Sequence, residues 1–443
     1  MVVGDIARWT QVIVIGGGPG GYVAAIRAAQ LGKEVTLVEK EDLGGVCLNR
    51  GCIPSKAIIH AADQKYKLQQ SEVFGLKVTD ASFEMNQMMD WKQSIVSKLT
   101  NGVNALLKSN KVNVVKGEAR FIGKNKIEVM SEESRELFEF EYAIIATGSR
   151  PNEIPRFEFD GETVISSTEA LQLTDVPNEL VVMGGGYIGL ELGTAYAKLG
   201  AKVTIIELQD QLLPGTDLEL IQPVYKNLKK IDVDVFTGTK IKAHEKIGAQ
   251  MKLVLDTSLG ERSITADKLL VSVGRRPNSE QLGLEEIGVE VNEKGFIVTD
   301  QQCRTSQFSI FAIGDVATGP MLAHKASKEG IVAAEALSNK ASEMDAFAMP
   351  AVIFTDPEIA TVGLSPDAAK EKGFEITVGK SPFSANGRAL STQQAEGFVQ
   401  IVVEKESDRV LGVQMVGPDA SSLIGEAALA IELGAKAEDI SLT

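Results

Sequence analysis

A glycine pattern that occurs twice constrains this chain more than any other feature of its sequence. The pattern Gly-x-Gly-x-x-Gly covers Gly16, Gly18 and Gly21 and again Gly184, Gly186 and Gly189. Each copy follows an apolar run typical of a strand, opens a helical stretch, and leads to a second strand that ends on an acid, Glu39 or Glu207. The spacing from first glycine to acid is the same in both copies. This order predicts two Rossmann-like units.

Glycines at these positions serve phosphate binding. They let the chain turn tightly, let a pyrophosphate approach bare backbone at the helix N-terminus, and let helix and strand pack closely, while the acid accepts the ribose hydroxyls. Glycine-rich turns without a ligand are the alternative, and the complete order of parts in both copies disfavours it. The two units therefore predict two dinucleotides. Glu207 has no adjacent Arg and repels a 2′-phosphate, which favours NAD over NADP.

The cysteines are few, and two of them lie close together. Cys47 and Cys52 are five positions apart, and Cys303 is the third. A redox pair, two unrelated core thiols and half of a zinc site are the three interpretations. Zinc is disfavoured, and no metal site is expected, because His60, His244 and His324 show no paired ligand spacing. Residues five apart in a regular helix have Cα atoms roughly 8 to 9 Å apart, whereas a disulfide tolerates under about 7 Å. If the two cysteines bridge, the segment must be distorted, and Gly51 provides the flexibility.

Composition narrows the class of protein. A formal net charge of −15 disfavours nucleic acid and anionic membrane surfaces as partners. Residues 12–31 are apolar, but they contain five glycines, a proline and an arginine, so strand, turn and helix explain them better than a membrane span. No basic segment with a cleavage site precedes them. The scarcity of cysteine is compatible with a reducing cytoplasm, where such a pair is more often catalytic than structural.

The chain divides into four segments around an internal duplication. Each predicted unit closes on an apolar strand followed by glycine, at Gly148 and at Gly274. We predict an α/β fold with two Rossmann-like dinucleotide-binding domains and a C-terminal α+β interface domain. The segments are 1–150 for the first domain, 151–278 for the second, 279–348 completing the first, and 349–443 for the interface.

Three charged residues outside the fingerprints are candidates for a site. Asp315 follows a buried Ile-Gly and is either a helix N-cap or part of a flavin pocket, with the helix after Ala323 directing its N-terminus at the flavin ring. His324, at that helix start, is interpreted as structural. Lys56 and Glu191 are either solvated charges or a buried ion pair beside the flavin, and we favour the pair.

These residues together resemble a known family. The segment from Gly44 to Lys56 contains Cys-Leu-Asn-x-Gly-Cys-Ile-Pro-Ser-Lys, and with the two fingerprints the whole chain resembles the pyridine nucleotide–disulfide oxidoreductases. Within the family it is most similar to the members that oxidise protein-bound dihydrolipoamide with reduction of NAD. Ser55 before Lys56 and Glu207 without a basic cluster support that choice. The resemblance implies a homodimer that serves the lipoyl domain of a 2-oxo acid dehydrogenase complex.

The resemblance also assigns roles to residues. Cys47 is implied as the thiol that meets the dithiol substrate, and Cys52 as the thiol nearest the flavin. Lys56 is implied to lie close to flavin N5, with Glu191 as its partner. FAD is implied at Gly16, Gly18, Gly21, Glu39, Lys56, Ala119, Thr147, Gly148, Asp315 and Ala323. NAD is implied at Gly184, Gly186, Gly189, Glu207, Ile241 and Gly274.

Two features depart from the family pattern. The family implies a general base in a His-x-Pro-x-x-x-Glu-like segment after a stretch like Ile440–Thr443, and none of the three histidines matches it. We therefore expect this chain to pass electrons from NADH to artificial acceptors, and to oxidise dihydrolipoamide at least about 10²-fold more slowly than a version extended through the expected His. Arg50 stands where a small aliphatic residue is commoner, and its charge should lower the pKa of both thiols.

Two rival functions stay open at this point. One is another NAD(P)H-dependent disulfide or metal-ion reductase of the same family. The other is a non-catalytic flavoprotein that binds an assembly partner, although Cys47, Cys52 and both fingerprints argue against it.

Overall fold

The computed structural model describes residues 7–79, 82–248 and 250–443. The strands are β1 Arg8–Ile15, β2 Val35–Glu39, β3 Asn113–Lys116, β4 Glu118–Gly123, β5 Lys126–Met130, β6 Arg135–Ile145, β7 Ser149–Pro151, β8 Val164–Ile165, β9 Glu179–Met183, β10 Lys202–Ile206, β11 Asp234–Phe236, β12 Lys240–Ile247, β13 Gln250–Thr257, β14 Gly260–Ala266, β15 Lys268–Val271, β16 Arg275–Pro277, β17 Ile310–Ala312, β18 Ala351–Ile353, β19 Glu358–Gly363, β20 Ile376–Pro382, β21 Phe398–Glu404 and β22 Val410–Gly417.

The α-helices alternate with these strands. They are α1 Pro19–Gln30, α2 Gly45–Arg50, α3 Cys52–Gln69, α4 Met85–Ser109, α5 Ser167–Ala170, α6 Tyr187–Leu199, α7 Leu218–Lys230, α8 Leu284–Ile287, α9 Ala323–Ala336, α10 Pro366–Glu371, α11 Gly387–Ser391, α12 Ala420–Glu432 and α13 Ala437–Ser441. Short 3₁₀ turns cover Ser71–Phe74, Gly314–Val316 and Phe383–Ala385.

The chain forms two compact units. The first consists of the residues up to Pro54 with Met89–Asn152 and Arg275–Asp345. The second consists of Ser55–Met88, Glu153–Gly274 and Ala346–Thr443. The domain boundaries at 150, 278 and 348 remain predictions.

The first unit is built on a sheet in the order β3-β2-β1-β6-β5-β4, with β17 also paired to β6. Strands β3, β2, β1, β6 and β17 run parallel, whereas β5 pairs antiparallel with both β6 and β4. Val12 and Val14 on one face of β1 pack in a core with α1 and α9 residues, and Ile13 and Ile15 on the other face pack with β4, β5 and β6. Because both faces are covered, β1 is a nearly continuous apolar run, as parallel strands usually are.

The second unit contains three sheets. The parallel sheet β11-β10-β9-β15-β8 has at its centre β9, the strand that leads into the second fingerprint. An antiparallel sheet β12-β13-β14 packs its buried side chains in the same core. The C-terminal antiparallel sheet has the order β18-β19-β22-β21-β20, and α12 packs on it. The two parallel sheets and the C-terminal α+β layer confirm the predicted fold class.

Candidate active site

The first fingerprint forms the turn between β1 and α1. Gly16 has a φ of +106°, which favours glycine. A Cβ on Gly21 would lie 1.8 Å from the Gly16 carbonyl oxygen, so helix and strand can approach only with glycine there. A Cβ on Gly18, by contrast, would have its nearest neighbour 4.0 Å away. The third glycine is therefore required by packing, while the second leaves backbone open to a ligand at the helix N-terminus.

The second fingerprint repeats this geometry between β9 and α6. Gly184 has a φ of +107°, and a Cβ on Gly189 would lie 2.3 Å from the Gly184 carbonyl oxygen. A Cβ on Gly186, the N-cap of α6, would meet nothing within 4 Å. Both turns thus have the open cradle that a pyrophosphate needs.

The acids at the ends of β2 and β10 are held in the same way. Glu39 accepts the Gly17 N–H at 2.6 Å on Oε2 and the Glu41 N–H at 2.7 Å on Oε1. Glu207 accepts the Gly185 and Gln209 N–H groups, both at 2.7 Å. Burial raises the pKa of Glu39, and the Gly17 N–H opposes that shift. Each carboxylate oxygen keeps a second acceptor position, so both acids fit the predicted contact with ribose hydroxyls.

Cys47 and Cys52 lie on opposite sides of a helix break. Cys47 is in α2, and Cys52 is the first residue of α3. Gly51 between them has φ −147° and ψ −110°, and a Cβ there would lie 2.9 Å from the Val46 carbonyl oxygen. Both cysteines are half-buried. The distortion that a bridge between them requires is present at Gly51.

We expect Gly51→Ala to slow dithiol turnover about tenfold, because the new methyl must push against Val46 and displace one thiol by a fraction of an ångström. The matched control is Gly102→Ala in α4, where a Cβ meets nothing within 4 Å. Steady-state rates of both variants measure the effect. Unchanged turnover for Gly51→Ala would show that the break does not set the thiol geometry.

Arg50 and Tyr22 are the next two residues to consider around the cysteine segment. The Arg50 guanidinium forms an ion pair with Glu41 and partly offsets the rise that burial causes in the pKa of Glu39. Its effect on the thiols stays a prediction. Tyr22, on α1, was not predicted as a site residue; burial raises its pKa, and a charged Cys47 adds to that rise.

The predicted ion pair between Lys56 and Glu191 is present. Lys56 Nζ lies 2.8 Å from Glu191 Oε2. The Glu191 side chain is 5% exposed but that of Lys56 is 34% exposed, so the pair is buried only on the carboxylate side. Glu191 Oε1 also accepts the Phe354 N–H at 3.0 Å, and Lys56 Nζ lies 4.4 Å from the centre of the Phe354 ring. The sequence did not indicate Phe354, because it is far along the chain and carries no signature. These contacts hold the Lys56 cation in one place.

Asp315 lies in the turn Gly314–Val316 rather than at a helix N-terminus. The N-cap of α9 is Leu322, so Asp315 does not cap that helix. Its Oδ2 instead accepts the Ser149 hydroxyl at 2.6 Å. The Gly314 N–H donates to Glu329 at 2.7 Å, which fixes the turn. Asp315 is thereby held by its side chain and by the backbone beside it.

The other predicted cofactor residues divide between the two units. Ala119 is buried in β4, Thr147 and Gly148 follow β6, and Ala323 begins α9, all in the first unit. Ile241 is buried in β12, and Gly274, with a φ of +106°, follows β15, both in the second unit. Their contacts with FAD and NAD remain predictions.

The three histidines and Cys303 were not predicted as site residues. His60 and His324 are exposed in α3 and α9, and His244 packs against the Phe157 ring at 4.8 Å. Cys303 is 2% exposed, and burial raises the pKa of its thiol. Within the described ranges, no three His, Cys, Asp or Glu side chains are arranged to hold a metal ion. None of the helices described has both the length and the hydropathy to span a bilayer.

Family models match both parts of this architecture. The model described as pyridine nucleotide-disulphide oxidoreductase matches residues 10–330, and the dimerisation domain of the same family matches residues 349–443. The chain belongs to the pyridine nucleotide–disulfide oxidoreductase family, and the predicted resemblance is confirmed.

The relatives give a finer comparison. The chain is 52% identical to dihydrolipoyl dehydrogenase of Staphylococcus aureus and 51% identical to that of Geobacillus stearothermophilus, in each case over 100% of this chain and 94% of the relative. Among solved structures, LpdA from Mycobacterium tuberculosis matches with a TM-score of 0.91 at 26% identity, covering 98% of this chain and 95% of that one. The flavoprotein disulfide reductase RclA from Escherichia coli matches with a TM-score of 0.84 at 27% identity, covering 96% and 94%.

Proposed function

We propose that this chain is an NAD-dependent flavoprotein that oxidises dihydrolipoyl groups to lipoyl disulfides. The observation that carries the proposal is the placement of Cys47 and Cys52 across the Gly51 break, in the segment that follows the first dinucleotide cradle. Identity of about half of all positions to dihydrolipoyl dehydrogenases over the whole chain supports the substrate.

The chain's own chemistry is thiol–disulfide exchange. With the cysteine pair oxidised, a dihydrolipoyl thiolate attacks Cys47 Sγ, a mixed disulfide forms, and Cys52 leaves as a thiolate. The second lipoyl thiol loses its proton and attacks the lipoyl sulfur of the mixed disulfide, which releases Cys47 and the lipoyl disulfide. Two electrons then reside on Cys47 and Cys52, and two protons have left the substrate.

The cofactors complete the electron balance. Bound FAD would supply an acceptor for the electron pair of the thiols, and bound NAD would supply a hydride acceptor. We assign FAD to the first fingerprint with Glu39 and Asp315, and NAD to the second with Glu207. Lys56, held by Glu191 and the Phe354 ring, would supply a fixed positive charge.

Two assembly properties belong to the same proposal. The match of residues 349–443 to a dimerisation domain supports a homodimer. Within the same residues, Leu429 and Leu433 are 60% and 75% exposed, as the apolar side chains of an uncovered interface would be. The protein partner of the proposed reaction is a lipoyl domain of a 2-oxo acid dehydrogenase complex.

A panel of substrates tests the function against its rival. RclA, a flavoprotein disulfide reductase also solved as a Cu(II) complex, shares the fold at 27% identity. We expect dihydrolipoamide with NAD to give a kcat/KM at least about 10²-fold above glutathione disulfide or Cu(II) with NADH or NADPH. A preference for either rival acceptor would contradict the proposal, and no turnover with any pair would favour a non-catalytic flavoprotein.

Coenzyme choice provides a separate prediction. The Glu207 carboxylate accepts the Gly185 N–H beside the second fingerprint, so we expect NADH to be preferred over NADPH. Glu207→Gln should narrow that preference about tenfold, because the repulsion of a 2′-phosphate is lost. The equivalent change Glu39→Gln in the first fingerprint is the control and should leave the ratio of kcat/KM values intact. Equal values for NADH and NADPH in the unaltered protein would contradict the assignment.

A further inference from the structure

A chain of hydrogen bonds ends on Asp315, and the mechanism above does not use it. Arg275 Nε donates to Ser149 Oγ at 2.8 Å, and Ser149 Oγ lies 2.6 Å from Asp315 Oδ2. Arg275 Nη2 also donates to the Ser149 carbonyl oxygen at 2.7 Å. Because a guanidinium can only donate, the single proton of the Ser149 hydroxyl must point to Asp315. The donor and the acceptor of each hydrogen bond between Arg275, Ser149 and Asp315 are therefore fixed.

The fold holds both donors rigidly. Ser149 begins β7 and Arg275 begins β16, and these strands pair antiparallel, with Ser149 opposite Pro277. Ser149 is 2% exposed. Beyond this two-stranded ribbon, the Asn278 side chain donates to the Thr147 carbonyl oxygen at 2.8 Å. A buried hydroxyl between fixed partners loses little additional entropy when it orders Asp315.

The backbone beside Asp315 is fixed from another side. Glu329 Oε2 accepts the Gly314 N–H at 2.7 Å, and Glu329 Oε1 lies 2.8 Å from Lys325 Nζ. Lys325 and Glu329 are each 6% exposed. This ion pair holds the turn, so the carboxylate of Asp315 has only its own side-chain rotation left, and Ser149 removes that freedom.

We infer that Ser149 and Arg275 are positioning residues of the FAD site, which orient the Asp315 carboxylate so that Oδ1 faces the cofactor. This inference rests on the proposed FAD site at Asp315. Ser149 occupies Oδ2 with a charge-assisted hydrogen bond, which leaves Oδ1 as the acceptor for a cofactor hydroxyl. Arg275 acts through Ser149, by fixing which way the hydroxyl points. Its positive charge also lies close to the carboxylate and favours electron uptake by a flavin bound there.

The test is FAD binding to apoprotein, measured by quenching of flavin fluorescence. We expect Ser149→Ala and Arg275→Met each to raise the Kd for FAD about tenfold, the effect of one hydrogen bond to a charged group. Arg276→Met is the matched control, because Arg276 is exposed and its replacement removes the same charge one residue away. The Kd of Arg276→Met for FAD should equal that of the unaltered protein. Arg275→Lys keeps the charge with a less suitable donor geometry and should be intermediate.

Two further readouts separate positioning from general damage to the fold. The double variant Ser149→Ala with Arg275→Met should bind FAD no more weakly than Ser149→Ala alone, because Arg275 acts through that hydroxyl. The flavin midpoint potential of Arg275→Met should become more negative, while that of Arg276→Met should not. Additive losses in the double variant, or an unchanged potential, would overturn the inference. If Arg275→Met does not give folded apoprotein, Arg275→Lys decides in its place.

Asp315→Asn distinguishes failure of this inference from failure of the site itself. If Asp315→Asn binds FAD as well as the unaltered protein does, the proposed FAD site at Asp315 is wrong. If Asp315→Asn weakens FAD binding but Ser149→Ala and Arg275→Met do not, the site stands and the positioning role is wrong.

Discussion

Replacing Cys47 by Ser should reduce dihydrolipoamide turnover by more than about 10³-fold, because the loss of a covalent nucleophile removes most of the rate of such a reaction. Serine cannot form the mixed disulfide, and its hydroxyl is not ionised at neutral pH. FAD should remain bound, since the fingerprint and Glu39 are unchanged. Electron transfer from NADH to an artificial acceptor should also remain, because it does not need the cysteine pair. The measurement is a side-by-side assay of both activities on one preparation.

The control for this prediction is Cys303→Ser. Cys303 is 2% exposed, and burial raises the pKa of its thiol, so it is a poor nucleophile. We expect both activities of Cys303→Ser to match the unaltered protein. Near-normal dihydrolipoamide turnover by Cys47→Ser would mean that Cys47 is not the thiol that meets the substrate.

The second large effect is expected at Gly186. A Cβ there meets no protein atom within 4 Å, so Gly186→Ala should fold normally, but the methyl would occupy the space where a pyrophosphate approaches the α6 N-terminus. Loss of one or two hydrogen bonds to a charged group, roughly 2 to 4 kcal/mol, should weaken NADH binding by about 10²-fold. FAD content and reduction by dihydrolipoamide should not change. Calorimetric titration with NADH measures the effect.

Two other glycines make this prediction specific. Gly18→Ala is the equivalent change in the first fingerprint and should weaken FAD binding while NADH binding persists. Gly189→Ala places a Cβ 2.3 Å from the Gly184 carbonyl oxygen and should instead lower the stability of the fold, by about 1 to 3 kcal/mol or more. If Gly186→Ala binds NADH normally, the second fingerprint is not the NAD site.

The sequence predicted those parts of the site whose signals are local. The fingerprints, their acids and the cysteine segment each lie within a few dozen residues, so turn chemistry and periodicity are sufficient to recognise them. The Lys56–Glu191 pair was predicted across 135 positions only because both residues lie on segments with recognised roles. The distortion at Gly51 followed from the distance that a disulfide tolerates.

Long-range partners without a signature could not be predicted in this way. Phe354 contacts Lys56 and Glu191 through its ring and backbone N–H, and neither feature leaves a pattern in the sequence. Ser149 and Arg275 are 126 positions apart and meet because β7 and β16 pair. Asp315 does not cap α9, which begins several residues later, at Ala323. Its carboxylate accepts the Ser149 hydroxyl across 166 positions, a partner that no local pattern indicated.

Electrons are proposed to enter this protein through Cys47 and Cys52. Anaerobic addition of one equivalent of dihydrolipoamide to the oxidised protein without NAD, followed by alkylation of thiols and peptide mass spectrometry, tests this entry point. We expect Cys47 and Cys52 to change from unreactive to alkylated, one equivalent of lipoamide to form, and Cys303 to stay unmodified throughout. Lipoamide formation with no new alkylation at Cys47 or Cys52 would show that electrons enter elsewhere.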